Sequence, residues 1–524
     1  MRYGFVIDQR KCIGCHACTV ACKEENQVPL GVNRTWVKYI EKGVFPDTRR
    51  YFTVMRCNHC DNAPCVTICP TVALYRRPDG IVDFDGARCI GCKACMQACP
   101  YDALYIDPET NTAAKCHYCA HRVESGLEPA CVVVCPVQAI VPGDLDDPGS
   151  TIARLVASQP TQVRKPEQGT RPKLFYVGAE AAALTPELQE RRGGYLFSQV
   201  GRIPNPGQPN RVLAQPAAVT GATDGMDLLA LARTVYDVAH PERPWGWKVA
   251  AYLWTKSIAA GAFLVAALGI GAGFLTADAL TGLAVPVIGL AFLLLTTLLL
   301  VFDLKRPERF LYLVFKPNPR SWLVLGGVIL FAAGVLGTLW LLAGLVGSLV
   351  ALHLLAWPTA AVAAATAGYS AFLFGQAEGR DFWQSPIVLP HLLVAALVAG
   401  AAVLTIAAAA WPPGAAGDDP GSTLWPLLLV TLVAHGFLLA FEVFNRHAVH
   451  DAALTARLIW RGAYRARFWG GVMAAGIVLP IAMLLVGAAW ESTLLGALGA
   501  SLALAGLWLW EDLWVKAGQS VPLS

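Results

Sequence analysis

The chain has 524 residues, of which 55% are hydrophobic and only 15% are charged, and its mean hydropathy is +0.48. These values exclude a soluble single-domain enzyme, and a formal net charge of +4 is too small to indicate nucleic-acid binding. The averages conceal a division, because residues 1–245 carry all the cysteine and most of the charge, whereas 246–524 consist mainly of Leu, Ala, Val and Gly.

The first predicted element is a strand over residues 3–8, which leads directly into a cysteine motif. The motif Cys12-Ile-Gly-Cys15-His-Ala-Cys18 returns as Cys89-Ile-Gly-Cys92-Lys-Ala-Cys95 after a second strand-like segment at 81–85. Gly14 and Gly91 supply the tight turns. The sequence therefore contains an internal repeat of strand, ligand loop and short helix.

Sixteen cysteines in four groups of four are the strongest signal in the sequence. The groups are Cys12, Cys15, Cys18 and Cys22; Cys57, Cys60, Cys65 and Cys69; Cys89, Cys92, Cys95 and Cys99; and Cys116, Cys119, Cys131 and Cys135. Two groups have the spacing C-x2-C-x2-C-x3-C, and three end in Cys-Pro, which is the bacterial ferredoxin pattern.

Zinc sites and disulfides are the alternatives to iron–sulfur clusters. Zinc sites usually separate their two C-x2-C pairs by a longer loop, so four tight quartets fit zinc poorly. No charged n-region and apolar h-region precede the first motif, so we expect a reducing environment, in which such spacing indicates metal binding.

These motifs resemble the four-cluster electron-transfer subunits of molybdopterin oxidoreductases, such as dimethyl sulfoxide and polysulfide reductases. The resemblance implies four [4Fe–4S] clusters with nested pairing of the first motif with the fourth and of the second with the third. The implied ligand sets are Cys12, Cys15, Cys18 and Cys135; Cys116, Cys119, Cys131 and Cys22; Cys57, Cys60, Cys65 and Cys99; and Cys89, Cys92, Cys95 and Cys69.

Several basic side chains stand among the ligands. They are Lys23, Arg56, His59, Lys93, Lys115 and His117. Positive charge near a cluster raises its reduction potential. The alternative, which we favour from the sequence, is a solvated surface or a docking face.

Residues 141–245 have the composition of a linker, rich in Pro and Gly. Residues 172–178 are predicted to form a strand that returns to the ferredoxin body. Residues 226–233 have helical apolar spacing, and this helix is expected either on the membrane surface or packed on the ferredoxin domain.

Eight apolar runs follow, each near the length needed to cross a bilayer. They lie at about 249–275, 281–302, 322–344, 348–375, 386–410, 425–445, 469–488 and 492–514. Lys and Arg gather in the loops after the second, fourth and sixth runs and are missing from the four loops on the other side. The positive-inside rule therefore predicts that the ferredoxin region and the C-terminus are cytoplasmic, at an inner membrane.

The segments Asp303–Phe310, Lys316–Trp322, Tyr369–Gln376, Gly379–Trp383 and Val515–Gln519 are similar to the NrfD/PsrC membrane subunits. This resemblance covers roughly residues 245–524 and implies a haem-free anchor that binds quinone or quinol.

Ionisable and tyrosine side chains within predicted spans are the candidates for a quinone site, since they are costly there unless they have a function. The candidates are Tyr252, Lys256, Asp303, Tyr369, His391 and Glu442. We expect no haem, because His353, His391 and His435 are inferred to lie at different depths. His353 and His435 are interpreted as packing residues.

The predicted fold is an α+β double-ferredoxin domain at 1–140, a Pro/Gly-rich linker and ferredoxin-packing extension at 141–245, and an all-α eight-span bundle at 246–524. The predicted function is electron transfer between a membrane quinone pool and a catalytic partner subunit of the bis-molybdopterin type. No substrate-reducing site of its own is expected apart from a quinone site. The alternatives are a proton-translocating module and a cluster-bearing adaptor for a hydrogenase or a thiol–disulfide enzyme.

Overall fold

A computed structural model describes residues 1–44, 46–190, 232–238, 243–410 and 420–524. An N-terminal α+β region precedes a bundle of long apolar helices, which is the fold class that the sequence predicts. The strands are β1 (Tyr3–Asp8), β2 (Thr35–Val44), β3 (Asp47–Arg56), β4 (Leu74–Arg76), β5 (Val82–Phe84), β6 (Leu104–Ile106), β7 (Ala113–Lys115), β8 (Ile140–Asp144), β9 (Thr161–Gln162), β10 (Leu174–Val177), β11 (Gln189–Glu190) and β12 (Ala232–Tyr236). The short helices of this region are Ala17–Glu25, Pro64–Ile68, Ala94–Ala98, Ala120–Val123, Ala130–Val133, Thr151–Ser158 and Ala181–Leu184.

Two four-stranded sheets and two hairpins build the α+β region. The sheet orders are β8-β1-β10-β9 and β11-β12-β2-β3, and the hairpins are β4–β5 and β6–β7. Strand β10 pairs in parallel with β1, so the predicted return of residues 172–178 to the ferredoxin body is confirmed. Because β8 and β10 both extend the sheet of β1, the division that we proposed at residue 140 falls inside one sheet.

The predicted helix at 226–233 lies largely outside the described residues. Its last two residues, Ala232 and Arg233, begin strand β12, which pairs antiparallel with β2. Local apolar spacing does not decide between a helix and a strand when a neighbouring strand is available for pairing.

Eight helices in the described part of the protein are long and apolar enough to cross a membrane, as the sequence predicts. Spans 1 to 8 are Trp247–Ala272, Leu280–Asp303, Trp322–Val346, Leu349–Gly375, Val388–Ala410, Thr423–Phe444, Arg467–Ala489 and Thr493–Gly518. Short helices at Tyr312–Phe315 and His450–Trp460 lie between spans.

Span 1 is the most buried of the eight and lies at the centre of the bundle. Its Gly261 packs directly on span 5, where an added Cβ would lie 1.9 Å from the carbonyl oxygen of Ala396. Small residues at such crossings let two helix backbones touch, which is how helices associate when no hydrophobic driving force separates them from lipid.

Candidate functional site

Thiols that the first resemblance assigns to one set lie within electrostatic range of one another, and some also lie within range of thiols of another set, such as Cys116 and Cys57. Burial raises the pKa of Cys12, and the neighbouring thiols of Cys135 and Cys15 add to that rise. Equivalent mutual effects join the members of the other three sets. All sixteen are free thiols, so the disulfide alternative has no support in the structure.

The thiols of Cys69, Cys89, Cys92 and Cys95 surround a space. Nowhere in the described part of the protein do three His, Cys, Asp or Glu side chains close around a single metal ion. Cys69, Cys89, Cys92 and Cys95 together line a cavity. A cubane cluster takes one thiolate on each of four irons, so it needs such a hollow and supplies one-electron chemistry when it is bound.

Backbone amides aim at the sulfur atoms, as iron–sulfur ligation requires. The amides of Gly91 and Ala113 donate to Sγ of Cys89 at 3.4 and 3.3 Å. Gly91 has φ +69°, and an added Cβ would lie 2.5 Å from Cβ of Lys305. The glycine of the repeat therefore serves both the turn and the approach of the membrane bundle.

The basic side chains among the ligands are not all solvated. Arg56, His59 and Lys115 are at most 1% exposed, so our preference for a solvated surface is wrong for these three. The docking alternative is supported for Lys93, whose Nζ lies 2.8 Å from Oδ2 of Asp303 at the end of span 2. Burial lowers the pKa of His117 to about 3, so this ring is neutral.

The bundle meets the α+β region at the second and third cysteine motifs. Trp245 Nε1 donates to the carbonyl of Cys92 at 3.2 Å, and Asn318 Nδ2 donates to that of Cys69 at 2.8 Å. Gln97 contacts both Arg380 and Gln519, at 2.8 and 2.6 Å. The set of Cys69, Cys89, Cys92 and Cys95 is therefore the one beside the membrane helices.

Within the bundle, Lys256 organises one polar group. Its Nζ is buried and donates to the carbonyl of Ala367 at 2.8 Å and to Oγ of Ser370 at 2.9 Å. The ammonium also lies 4.9 Å from the ring centroid of Tyr369, and the hydroxyl of Tyr252 contacts the same Ser370 at 3.5 Å. Three predicted residues are thus brought together, and Ser370 joins them.

An apolar cavity lies within one or two helical turns of this group. Residues from spans 1, 2, 3 and 4 line it, including Ala259, Phe263, Leu293, Ala333 and Thr366. The cavity is about 10 Å³ in volume, which is room for about one water-sized group.

His391 and Glu442 form a second polar group. His391 Nδ1 lies 2.9 Å from Oε2 of Glu442, whose Oε1 accepts from Trp514 Nε1 at 2.7 Å. The ring of His435 lies 5.1 Å from that of His391, centroid to centroid. Our inference that these histidines lie at different depths is therefore wrong, because depth was counted along each helix without the helix offsets.

Glu511 in span 8 connects the two groups, and the sequence did not suggest it. It is 2% exposed and lies within electrostatic range of His391, Lys256 and Glu442. Its Oε1, His391 Nε2 and His435 Nδ1 have no hydrogen-bond partner among the described residues. The available signal was an acidic residue inside the predicted span 492–514.

Asp303 stands apart from both groups. Its carboxylate forms an ion pair with Lys93. The carboxylate also lies within electrostatic range of the Tyr252 hydroxyl. The structure thus places Asp303 between the cysteine set beside the membrane and the Lys256 group, at the domain junction.

Family comparisons agree with this two-part organisation. Residues 237–521 match the model described as polysulphide reductase, NrfD. Residues 48–145 match a 4Fe-4S dicluster domain, and residues 10–26 match a 4Fe-4S binding domain.

Similar proteins include subunits of several reductases. A tetrathionate reductase subunit of Salmonella typhimurium is 47% identical over 203 residues, 38% of this chain and 81% of that protein. A polysulfide reductase polypeptide of Wolinella succinogenes is 46% identical over 181 residues, 34% of this chain and 94% of that protein. A putative dimethyl sulfoxide reductase iron–sulfur subunit of Halobacterium salinarum is 41% identical over 208 residues, 34% of this chain and 79% of that protein.

Proposed function

We propose that this chain, which belongs to the polysulphide reductase NrfD family, moves electrons between membrane quinone and the catalytic subunit of a reductase complex. It is a multi-pass membrane protein with 4Fe-4S binding domains and an NrfD-type anchor in one polypeptide. We further propose four clusters, quinone as the membrane substrate, a bis-molybdopterin partner, and a cytoplasmic location for the iron–sulfur region.

Four clusters are proposed, one for each nested set. The set of Cys69, Cys89, Cys92 and Cys95 borders the bundle through Trp245, Asn318 and the Lys93–Asp303 pair. This docking is the observation that carries the proposal, since it brings cluster ligands to the end of span 1, the helix that holds both Tyr252 and Lys256.

The opposite end of the cysteine array suits a protein partner. Cys15 is exposed, and Ile13, Val20 and Val133 around the same set are 55%, 65% and 62% exposed. Exposed apolar groups clustered at one place mark an interaction surface. We assign this surface to the catalytic subunit, which we propose to be of the bis-molybdopterin type that the resemblance to molybdopterin oxidoreductase subunits implies.

The quinone headgroup is proposed to bind beside Lys256. Reduction of a quinone takes two electrons and two protons, so the site needs donors for two oxygens and an apolar slot for the tail. Lys256, Tyr252 and Tyr369 supply donors in a desolvated setting. The apolar cavity lined by Ala259 and Phe263 is about 10 Å³ in volume, so the helices around it must part to admit the tail. Glu511, within range of Lys256, is a nearby carboxyl for proton exchange.

Lys256→Met tests this site. Hydrogen bonds to charged groups contribute about 1.5–3 kcal/mol, so we expect cluster reoxidation by quinone to slow by about tenfold or more. Lys248→Met is the matched control, because Lys248 lies on the same helix and its Nζ reaches only the carbonyl of Phe302 at the bundle end. Equal rates in both variants, with iron content unchanged, would remove Lys256 from the site.

Proton translocation is a second candidate function. The observation that favours it is the buried series of Lys256, Glu511, His391 and Glu442. Within this series, Oε1 of Glu511 and Nε2 of His391 have no hydrogen-bond partner among the described residues. The test measures the pH change inside sealed vesicles during quinone turnover. A change larger than the two protons consumed per quinone would show proton translocation, and a change equal to them would show simple electron transfer.

A further inference from the structure

Arg56 is the last residue of β3 and lies inside the iron–sulfur region, 1% exposed. Its guanidinium lies over the ring of Phe5, at 4.4 Å from the centroid, and its Nη1 donates to Sγ of Cys131 at 3.2 Å. The thiols of Cys131, Cys116 and Cys18 are the groups whose charge acts most strongly on it.

This buried cation has no carboxylate partner among the described residues. Its Nε and Nη2 make no hydrogen bond there either. A buried charge is costly unless an opposite charge compensates it. The compensation for Arg56 must therefore come from the negative charge that thiolates and an iron–sulfur cluster bring to these cysteines.

Lys115 approaches the same cysteine set from another side. Its ammonium is fully buried and donates to the carbonyl of Val82 and, at 2.9 Å, to that of Cys116. It lies within electrostatic range of Cys116 and of Cys65 in the next set. Like Arg56, Lys115 forms no ion pair within the part of the protein that the structure describes.

Two other buried lysines near ligands, Lys93 and Lys173, are compensated by carboxylates. Lys93, between two ligands of the set beside the membrane, pairs with Asp303 at 2.8 Å. Lys173 pairs with Asp61 at 3.4 Å. Net positive charge is therefore concentrated at the set of Cys22, Cys116, Cys119 and Cys131.

We propose that Arg56, assisted by Lys115, raises the reduction potential of the cluster held by Cys22, Cys116, Cys119 and Cys131 above the potentials of its neighbours. The reduced cluster carries one more negative charge, and an uncompensated cation in a dry interior stabilises it. An electron would then rest inside the array, away from both ends. This inference relies on the four-cluster assignment of the proposed function.

The test is a redox titration of the full-length protein in membranes, followed by electron paramagnetic resonance. In Arg56→Gln we expect a lower midpoint potential for the cluster beside Arg56, with the cluster near Lys93 unchanged. Arg56→Lys keeps the charge and should keep the potential near that of the wild type. Arg49→Gln removes the same charge from an exposed position of the same strand and should change nothing.

Unchanged potentials in an Arg56→Gln protein with full iron content would overturn the proposal. If Arg56→Gln loses iron, the test passes to Lys115→Gln, which must lower the potential of the same cluster and of the cluster held by Cys65. Unchanged potentials in Lys115→Gln would count against the proposal. Loss of iron from Arg56→Lys as well would show a purely structural role and also refute it. Wild-type protein with fewer than four clusters would instead refute the four-cluster assignment.

Discussion

Glu442 illustrates how a single carboxylate is held within the bundle. Its two oxygens accept from Trp514 and contact His391, at 2.7 and 2.9 Å. A glutamine has the same shape but no charge, and its oxygen can accept from Trp514 only if its amide group donates to His391 Nδ1. The proton of His391 must then lie on Nε2, which has no hydrogen-bond partner among the described residues, so a buried donor is left unsatisfied.

Glu442→Gln should therefore slow quinone-linked electron transfer by about tenfold, since an unsatisfied buried polar group costs about 1–3 kcal/mol. Stopped-flow measurement of cluster reoxidation by quinone checks this rate. Glu491→Gln makes the same chemical change at an exposed residue of the loop before span 8 and should have no effect. A wild-type rate for Glu442→Gln would assign His391 and Glu442 to helix packing alone.

At this scale the sequence identified some residues and missed others for a definite reason. Spacing along the sequence is sufficient to group cysteines, because ligands of one cluster lie mostly within one short loop. It cannot show which faces of distant helices meet, so Glu511 and Ser370 were missed. Asp303 was assigned to a quinone site, whereas its nearest charge is Lys93, a partner supplied by the other domain.

Among the elements, the segment after span 4 fastens the bundle to the third cysteine motif. An added Cβ on Gly379 would lie 2.7 Å from the carbonyl oxygens of both Cys99 and Gln97. Neither backbone group can move without displacing a cluster ligand.

Gly379→Ala should consequently separate the two regions at this contact. We expect slower electron exchange between quinone and the clusters, with dithionite-reducible iron–sulfur signals retained. Gly375→Ala is the matched control, because nothing lies within 4 Å of its added Cβ at the end of the same span. Equal kinetics in the two variants would show that this contact does not govern the coupling.

A second contact between elements joins the extension at residues 141–245 to the helix His450–Trp460. Lys165 lies 2.9 Å from Asp451 and 3.6 Å from Glu187. Burial, together with repulsion from Asp451, raises the pKa of Glu187 from 4.5 to about 7. The folded state therefore prefers protonated Glu187, which can donate a hydrogen bond to Asp451.

Because this pKa is raised on folding, the stabilising contribution is complete below pH 4.5 and is lost as pH rises toward 7. Hydrogen exchange of His450–Trp460 should be faster at pH 8 than at pH 5.5, after correction for the intrinsic rate. Glu187→Gln should remove that difference. Persistence of the difference in the variant would assign it to another group.

For the whole molecule, the α+β region and the bundle are joined through basic residues of the loops. Arg309 donates to the carbonyls of Gly86 and Cys89, and Arg306 donates to that of Thr110. These two arginines belong to the basic loops from which we inferred the orientation. Their positive charge is explained by contacts with the α+β region, so it is not independent evidence for that orientation. The cytoplasmic placement, which we propose, relies on the remaining loop charge, such as Arg457, Arg461 and Arg465 between spans 6 and 7.

The organisation into a cysteine-rich region and eight spans could be predicted because both depend on local periodicity and composition. The fit between them could not, since it depends on single backbone contacts such as those of Asn318 and Trp245 with cysteine carbonyls. Those contacts turn two separately recognisable parts into one proposed electron path.

The most direct test of that path is electron exchange between the clusters and quinone in the full-length protein in membranes. The clusters are reduced anaerobically with dithionite, the excess is removed, and a quinone is added while paramagnetic resonance follows the reduced clusters. We predict that all four clusters are reoxidised, with one quinol formed for every two electrons released. Clusters that stay reduced with quinone, yet are oxidised at once by ferricyanide, would contradict the account.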